Sequence, residues 1–182
     1  AVLFGASTPL AKLLVGQLPP VLLAGLLYLG SGIGLMALRL ARDRGWRPPG
    51  LSSHEWPWLA GAILFGGVLG PIALMFGLMT TSGSTASLLL NLESVLTAVI
   101  AWVVFRENAD RRIVVGMVAI VAGGVVLSWP TGEVANPNWT GPLLVCVACV
   151  AWAIDNNLTR KVSATDAMFI AGSKGFIAGL VN

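Results

Sequence analysis

Seven stretches of almost unbroken apolar sequence, cut apart by clusters of charge and proline, constrain this chain more than any other feature. They run over roughly 1–15, 20–38, 57–79, 83–105, 113–129, 141–159 and 166–182. A hydrocarbon core about 30 Å thick needs roughly 20 apolar helical residues at 1.5 Å each, and the internal runs approach that length. None alternates with the period of two that a half-buried strand requires, so helices are expected. Composition agrees: 56% of residues are hydrophobic, 10% are charged, and the mean hydropathy is +0.84. Soluble domains carry about 25% charge, so a water-facing surface cannot be assembled from this sequence. The glycines show no three-residue period and there are two cysteines, which removes collagen and disulfide scaffolds. The expected fold is an all-α integral membrane bundle with about seven helices in this chain. Because the chain begins at Ala1 inside one apolar run and stops at Asn182 inside another, it reads as a fragment lacking both ends.

The connections alternate in charge. Arg39, Arg42, Arg44 and Arg47 follow the second run, Arg106, Arg111 and Arg112 follow the fourth, and Arg160 and Lys161 end the sixth. Gly16 to Pro19, Thr80 to Ser82 and Pro130 to Asn138 contain no Lys or Arg. Nine of the eleven basic residues therefore fall on one side, which the positive-inside rule makes cytoplasmic. The expectation is a multi-pass inner-membrane protein with the loops at 39–56 and 106–112 in the cytoplasm. Trp56 and Trp58 at one interface, and Trp129 and Trp139 at the other, suit an aromatic belt. The pI of 9.3 is thus a topology signal. Expected partners are the lipid bilayer, a small-molecule substrate and, as an arrangement the sequence leaves open, a second copy in a homodimer. Nucleic acid is not among them.

The chain also matches itself. An offset of 148 lays Phe4 on Trp152, Gly5 on Ala153, Leu10 on Leu158 and Lys12 on Arg160. An offset of 147 lays Ala24-Gly25 on Ala171-Gly172 and Gly32 on Gly179. Five helices separate the copies, an odd number, so the copies lie in opposite senses across the membrane. Inverted repeats of this kind mark secondary transporters, with a site near the midplane where the repeats meet.

Glu107, Gly116 and Gly123-Gly124 in their order and spacing, the run Ser84-Thr85-Ala86-Ser87, Phe4-Gly5 and Trp152-Ala153 resemble an EamA-type domain of the drug/metabolite transporter superfamily. The resemblance implies ten helices in two inverted five-helix repeats. Residues 1–129 would form the first repeat, and 139–182 the first two helices of the second. It also implies solute transport, commonly export of metabolites or drug-like compounds. Two positions depart from the family pattern: Asn91-Leu92-Glu93 stands where a proline is common, and Leu27 where a basic residue is common. Lys174 occupies the position corresponding to Leu27 in the second copy.

Glu93, near the centre of the fourth run, is the sharpest candidate. A charge there costs roughly 2.5–3.5 kcal/mol on insertion scales, so it should face the bundle interior and have a partner. It either binds a cationic or polar group or exchanges a proton, or else it makes one fixed ion pair that holds helices together. Lys174, nine residues into the seventh run, is the expected neutralising partner. Asn91 shares a face with Ser84, Ser87, Ser94 and Ala98, and either lines a cavity or packs. Lys12 lies toward the outer end of the first run, where its ammonium can snorkel. Asp155 and Asn156 read either as a polar helix end with a local ion pair to Arg160 or as contacts to substrate. Gly30-x-x-x-Gly34 and Gly66-x-x-x-Gly70 fit close helix contacts, and Pro9 and Gly70-Pro71 should interrupt their helices.

Other motifs fail. Cys146-x-x-Cys149 lies in an apolar helix without a nearby histidine, and His54-Glu55 lacks the second histidine of a zinc peptidase. Asn138-Trp139-Thr140 is a glycosylation sequon that matters only in a secretory route. Neither metal nor cofactor is called for, and a hydrolytic triad or phosphate loop is not present in the sequence. The reading is a carrier working by alternating access rather than an enzyme, driven by a proton gradient or by solute exchange. The rival is a non-transporting scaffold or sensor subunit that uses Glu93 only to join helices.

Overall fold

Pro20, whose missing N–H costs nothing at the start of a helix, opens the first of the six longer helices among the described residues. The computed structural model describes residues 12–15, 17–106, 108, 110–128 and 139–182. The helices are α1 (Pro20–Asp43), α2 (Trp56–Thr80), α3 (Gly83–Val103), α4 (Arg111–Ser128), α5 (Thr140–Arg160) and α6 (Ala167–Val181). They correspond to the second through seventh apolar runs. Phe4, Gly5, Pro9, Glu107, Trp129 and Asn138, singled out from sequence, lie outside the described residues. Four of the helices (α1, α2, α3 and α5) are long and apolar enough to cross a membrane.

Local chemistry sets the boundaries. Ser82 caps α3 by accepting the Thr85 N–H at 3.1 Å, and Asp166 caps α6 by accepting from Met168 and Phe169. Arg44 and Gly45, both at positive φ, end α1. α3 is interrupted at Leu90-Asn91, where the Asn91 amide donates to the carbonyls of Ser87 and Leu88. α2 is not broken at Gly70-Pro71. Instead Ile63–Leu69 winds as a π-helical segment, in which the Gly70 N–H reaches back to the Phe65 carbonyl.

The two helices that the 147-residue offset aligns, α1 and α6, pack antiparallel. A side chain on Gly32 would collide with the Phe176 backbone, and one on Gly179 with the Leu29 backbone. The 147-residue offset aligns Gly32 with Gly179 and Leu29 with Phe176, the residues that make these two contacts. Gly25 lies close against the Asn182 backbone, and Gly172 lies against Met36 and, less closely, Leu35. The close α1 surface is therefore Gly25 and Gly32. Gly30 and Gly34, expected to form it, have open space where a side chain would be. The reason is rotational: Gly32 lies on the face turned to α6, and Gly30 and Gly34, two residues to either side, point away.

α2 packs antiparallel on α5 through a second glycine series. Gly61 lies under Leu158, Gly66 under Asp155, Gly70 under Trp152 and Gly77 under Val145. Small residues let backbones approach where lipid offers no hydrophobic drive for helix association, and here Gly66-x-x-x-Gly70 does form the expected contact.

The basic segments gather at one end. Arg160 and Lys161 stack on Phe105, and Arg39 meets Asp166. Thr80, Thr81 and Gly141 meet at the other end. Two apolar clusters fill the interior: Leu23, Leu74, Leu78, Val145 and neighbours toward the non-basic end, and Leu59, Val162, Phe169 and Ile170 toward the basic end. A layer of polar side chains lies between them.

Candidate functional site

The polar layer begins with a backbone problem. Pro71 has no N–H to offer the turn before it, and in lipid each unsatisfied backbone group costs several kcal/mol. Side chains of other helices supply the donors. Tyr28 Oη of α1 and Trp152 Nε1 of α5 both donate to the Gly66 carbonyl at 2.9 Å. Asn182 Nδ2, just past α6, donates to the Gly67 carbonyl at 2.9 Å. The π-helical segment of α2 is thus tied to three neighbouring helices.

Asp155 occupies the space that Gly66 leaves free. Lys174 Nζ donates to Asp155 Oδ1 at 2.5 Å and to Thr159 Oγ1 at 3.0 Å, and the Thr159 hydroxyl donates to Asp155 Oδ1 at 2.8 Å. The Asp155 and Lys174 side chains are 9% and 17% exposed. Both charges are largely removed from water, so they hold each other in place: loss of either would strand the other.

Glu93 is not joined to Lys174. Its Oε1 accepts from Asn156 Nδ2 at 2.9 Å, and the same amide reaches Thr97 Oγ1 at 3.2 Å. The Thr97 hydroxyl donates to the Glu93 carbonyl, and Asn157 Nδ2 donates to the Thr97 carbonyl. The physical reason is the α5 helix itself. Asp155 and Asn156 are consecutive and point about 100° apart, so Asp155 meets Lys174 of α6 while Asn156 meets α3. The local Asp155–Arg160 ion pair expected from sequence gives way to the cross-helix pair with Lys174. Among the described residues, the Glu93 carboxylate has a neutral amide as its partner.

Two candidates lie elsewhere. Asn91 lines a separate 180 Å³ cavity between α3 and α4, with Leu88, Leu92, Ile120 and Gly124. Lys12 donates to the Leu78 carbonyl near the non-basic end of α2, a position that suits an ammonium held toward the interface. The structure therefore gathers Glu93, Asn156, Asp155 and Lys174 into one layer, and separates Asn91 and Lys12 from it.

Sequence reasoning did not anticipate Tyr28, Trp152, Thr97 and Thr159. The signal available was Pro71, which announces a carbonyl needing a foreign donor without saying which side chain supplies it. A cavity of about 270 Å³ opens beside the layer on the Lys174 side, lined by Tyr28, Ser31, Leu35, Thr159, Ile170 and Lys174 among others.

At the basic end, Arg39 was expected in a solvated loop. It is 1% exposed, pairs with Asp166 at 2.9 Å, donates to the Arg47 carbonyl at 2.8 Å, and lies 5.3 Å from both the Trp46 and Phe169 rings. Arg42 adds a second contact to Asp166 at 2.7 Å. Burial pushes the Asp166 carboxyl up, but the two guanidinium hydrogen bonds and the Phe169 and Met168 N–H groups outweigh it and hold it at about 2.

Residues 1–129 match the model of the EamA-like transporter family. The chain belongs to that family. An uncharacterized transporter of Methanothermobacter thermautotrophicus is 27% identical over 195 residues, covering 99% of this chain and 57% of the relative. The uncharacterized transporters YvbV and YyaM of Bacillus subtilis are 27% and 26% identical, covering 90% and 86% of this chain and 52% of each relative. The chain thus spans about half the length of these curated relatives. No solved structure matches it. Membership agrees with the multi-pass helical membrane bundle.

Proposed function

We propose that this EamA-like protein is a secondary transporter of small metabolites or drug-like compounds, working as an exporter by alternating access, with Glu93 exchanging a proton. The observation that carries the reading is the polar layer between two apolar clusters, where α3 meets α5 through Glu93 and Asn156 and where α1, α5 and α6 meet around Asp155 and Lys174. Intramembrane ionisable groups are costly and mark solute or proton paths by default. Glu93 suits proton exchange because its partner is an amide. An amide donates to a carboxylate and also to the carbonyl oxygen of a carboxylic acid, so protonation breaks no ion pair.

Residues 1–129 act as the first repeat and 139–182 begin the second. The polar layer lies at their junction, and the two units rock about it. The basic end faces the cytoplasm of a plasma-membrane protein, with loops 39–56 and 106–112 inside. No catalytic step is involved.

A second reading has one observation in its favour. The Glu93–Asn156 bond joins α3 to α5, as a purely structural tie would in a scaffold subunit. Membrane vesicles carrying the protein expressed from its complete gene separate the two. A pH gradient is imposed and a mixed metabolite pool is screened. The carrier reading expects at least one component to move with the gradient at a rate well above that of vesicles lacking the protein. A scaffold gives no difference for any component.

A further inference from the structure

Lys174 has three N–H donors, and the described contacts use two of them, to Asp155 and Thr159. Lys174 also lines the 270 Å³ cavity between α1, α6 and the end of α5. The rest of that wall is mostly apolar, with Leu35 and Ile170 among its residues, and Ser31 and Thr159 are its few hydroxyl-bearing side chains beside Tyr28, whose hydroxyl is held by the Gly66 carbonyl. Such a site, apolar with a few convergent polar groups, fits a small ligand with an aliphatic body and one polar head.

Charge limits what the head can be. Asp155 already neutralises Lys174, so a bare anion placed against this largely buried pair would leave a net negative charge, which is costly there. A cation would meet the ammonium itself. An acid that brings its own proton leaves the total unchanged.

We propose that the cavity binds a small aliphatic monocarboxylic acid, the acid's proton passing to Asp155 while its carboxylate takes the Lys174 ammonium. One O–H bond breaks on the ligand and one forms on Asp155, and one ion pair replaces another at zero net charge. The proposal rests on the carrier reading for the role of the cavity, and names the solute class for it. The groups facing Asp155 are Lys174 and Tyr28, from α6 and α1. The packed α2 segment Ile63–Leu69 contributes backbone and no titratable side chain. Glu93 of α3 meets the neighbouring residue of α5, Asn156.

The test is calorimetric titration of the purified protein, expressed from its complete gene, with isovaleric acid and with isovaleramide as the matched neutral ligand. Binding takes up one proton, so affinity for the acid falls about tenfold per pH unit between about pH 6 and about pH 8. The amide binds at least tenfold more weakly at the lower pH. Lys174→Gln loses the binding. Asp155→Asn keeps it and removes the pH slope, because the proton acceptor is gone and Lys174 stands uncompensated. Leu35→Trp, which fills the cavity and keeps both charged residues, also loses binding and carries the test if either charge variant fails to fold. A pH-independent affinity in the parent, equal binding of the amide, binding that survives Lys174→Gln or Leu35→Trp, or a slope that survives Asp155→Asn overturns the proposal. Calorimetry needs no gradient. Failure here with metabolite flux intact overturns this inference alone, and absent flux overturns the carrier reading whatever the calorimeter shows.

Discussion

Lys174 pairs with Asp155 at 2.5 Å, and Glu93 pairs with Asn156 at 2.9 Å. The single lysine of the polar layer is therefore committed to one of the two carboxylates there. The two carboxylates have different partners: one is fixed by an ion pair, and the other is held by a neutral amide.

The ion pair predicts a strong non-additivity. Lys174→Gln alone should destabilise by about 3–5 kcal/mol, because it strands the Asp155 charge away from water. Asp155→Asn together with Lys174→Gln should recover most of that loss. Unfolding of Lys174→Gln and of the double variant in detergent or by denaturant titration checks it. Equal losses in the single and double variants would mean that the pair does not hold the helices.

The glycine contacts predict a contrast within the same residue type. Gly66→Ala pushes a methyl into the Asp155 carboxylate, and Gly32→Ala into the Phe176 backbone. Each should cost roughly 1–3 kcal/mol or more, as overpacking does. Gly34→Ala meets nothing within 4 Å, and with the better helix propensity of alanine it should be neutral or slightly stabilising. Thermal unfolding of the three variants reads this directly.

Much of the fold was legible in the sequence because membrane helices announce themselves by length and charge. Runs at 57–79 and 141–159 became Trp56–Thr80 and Thr140–Arg160. The second run was cut at 38, yet α1 continues to Asp43. Arg39 looks like a loop residue by composition and is buried by a partner 127 residues away. The same limit hid the Lys174–Asp155 pair. Periodicity places Glu93 and Lys174 at similar depths, but which carboxylate a lysine meets depends on the rotation of α5, which no local pattern encodes. Gly30 and Gly34 had the right spacing and the wrong face.

Acid sensitivity follows from the basic end. The Asp166 carboxyl, held at about 2 when folded, lies near 3.9 when unfolded. A depressed folded value means that its contribution is complete above about pH 4 and drains away as pH falls toward 2. Stability of the parent should therefore decline through that window. Asp166→Asn should be less stable at neutral pH and show a shallower acid decline, measured by unfolding between about pH 2 and pH 6. An unchanged acid limb would detach Asp166 from the Arg39–Arg42 network.

Pro71 predicts an unusual rescue. Trp152→Phe removes one of the two side-chain donors to the Gly66 carbonyl and should cost about 1–2 kcal/mol. In a Pro71→Ala background, the restored N–H gives the preceding turn a local donor, and the cost of Trp152→Phe should shrink. A double-mutant cycle by thermal unfolding measures that coupling. Strict additivity would show that the proline is not what calls for the indole.

The most direct test of the central claim is gradient-driven flux with Glu93→Gln in vesicles, at protein levels matched to the parent. Glutamine keeps the amide contact to Asn156 and cannot exchange a proton. The account predicts that coupled accumulation disappears in the variant while the protein stays folded and membrane-inserted. Accumulation at the parental rate in Glu93→Gln would contradict it, and would leave Glu93 as a tie between α3 and α5.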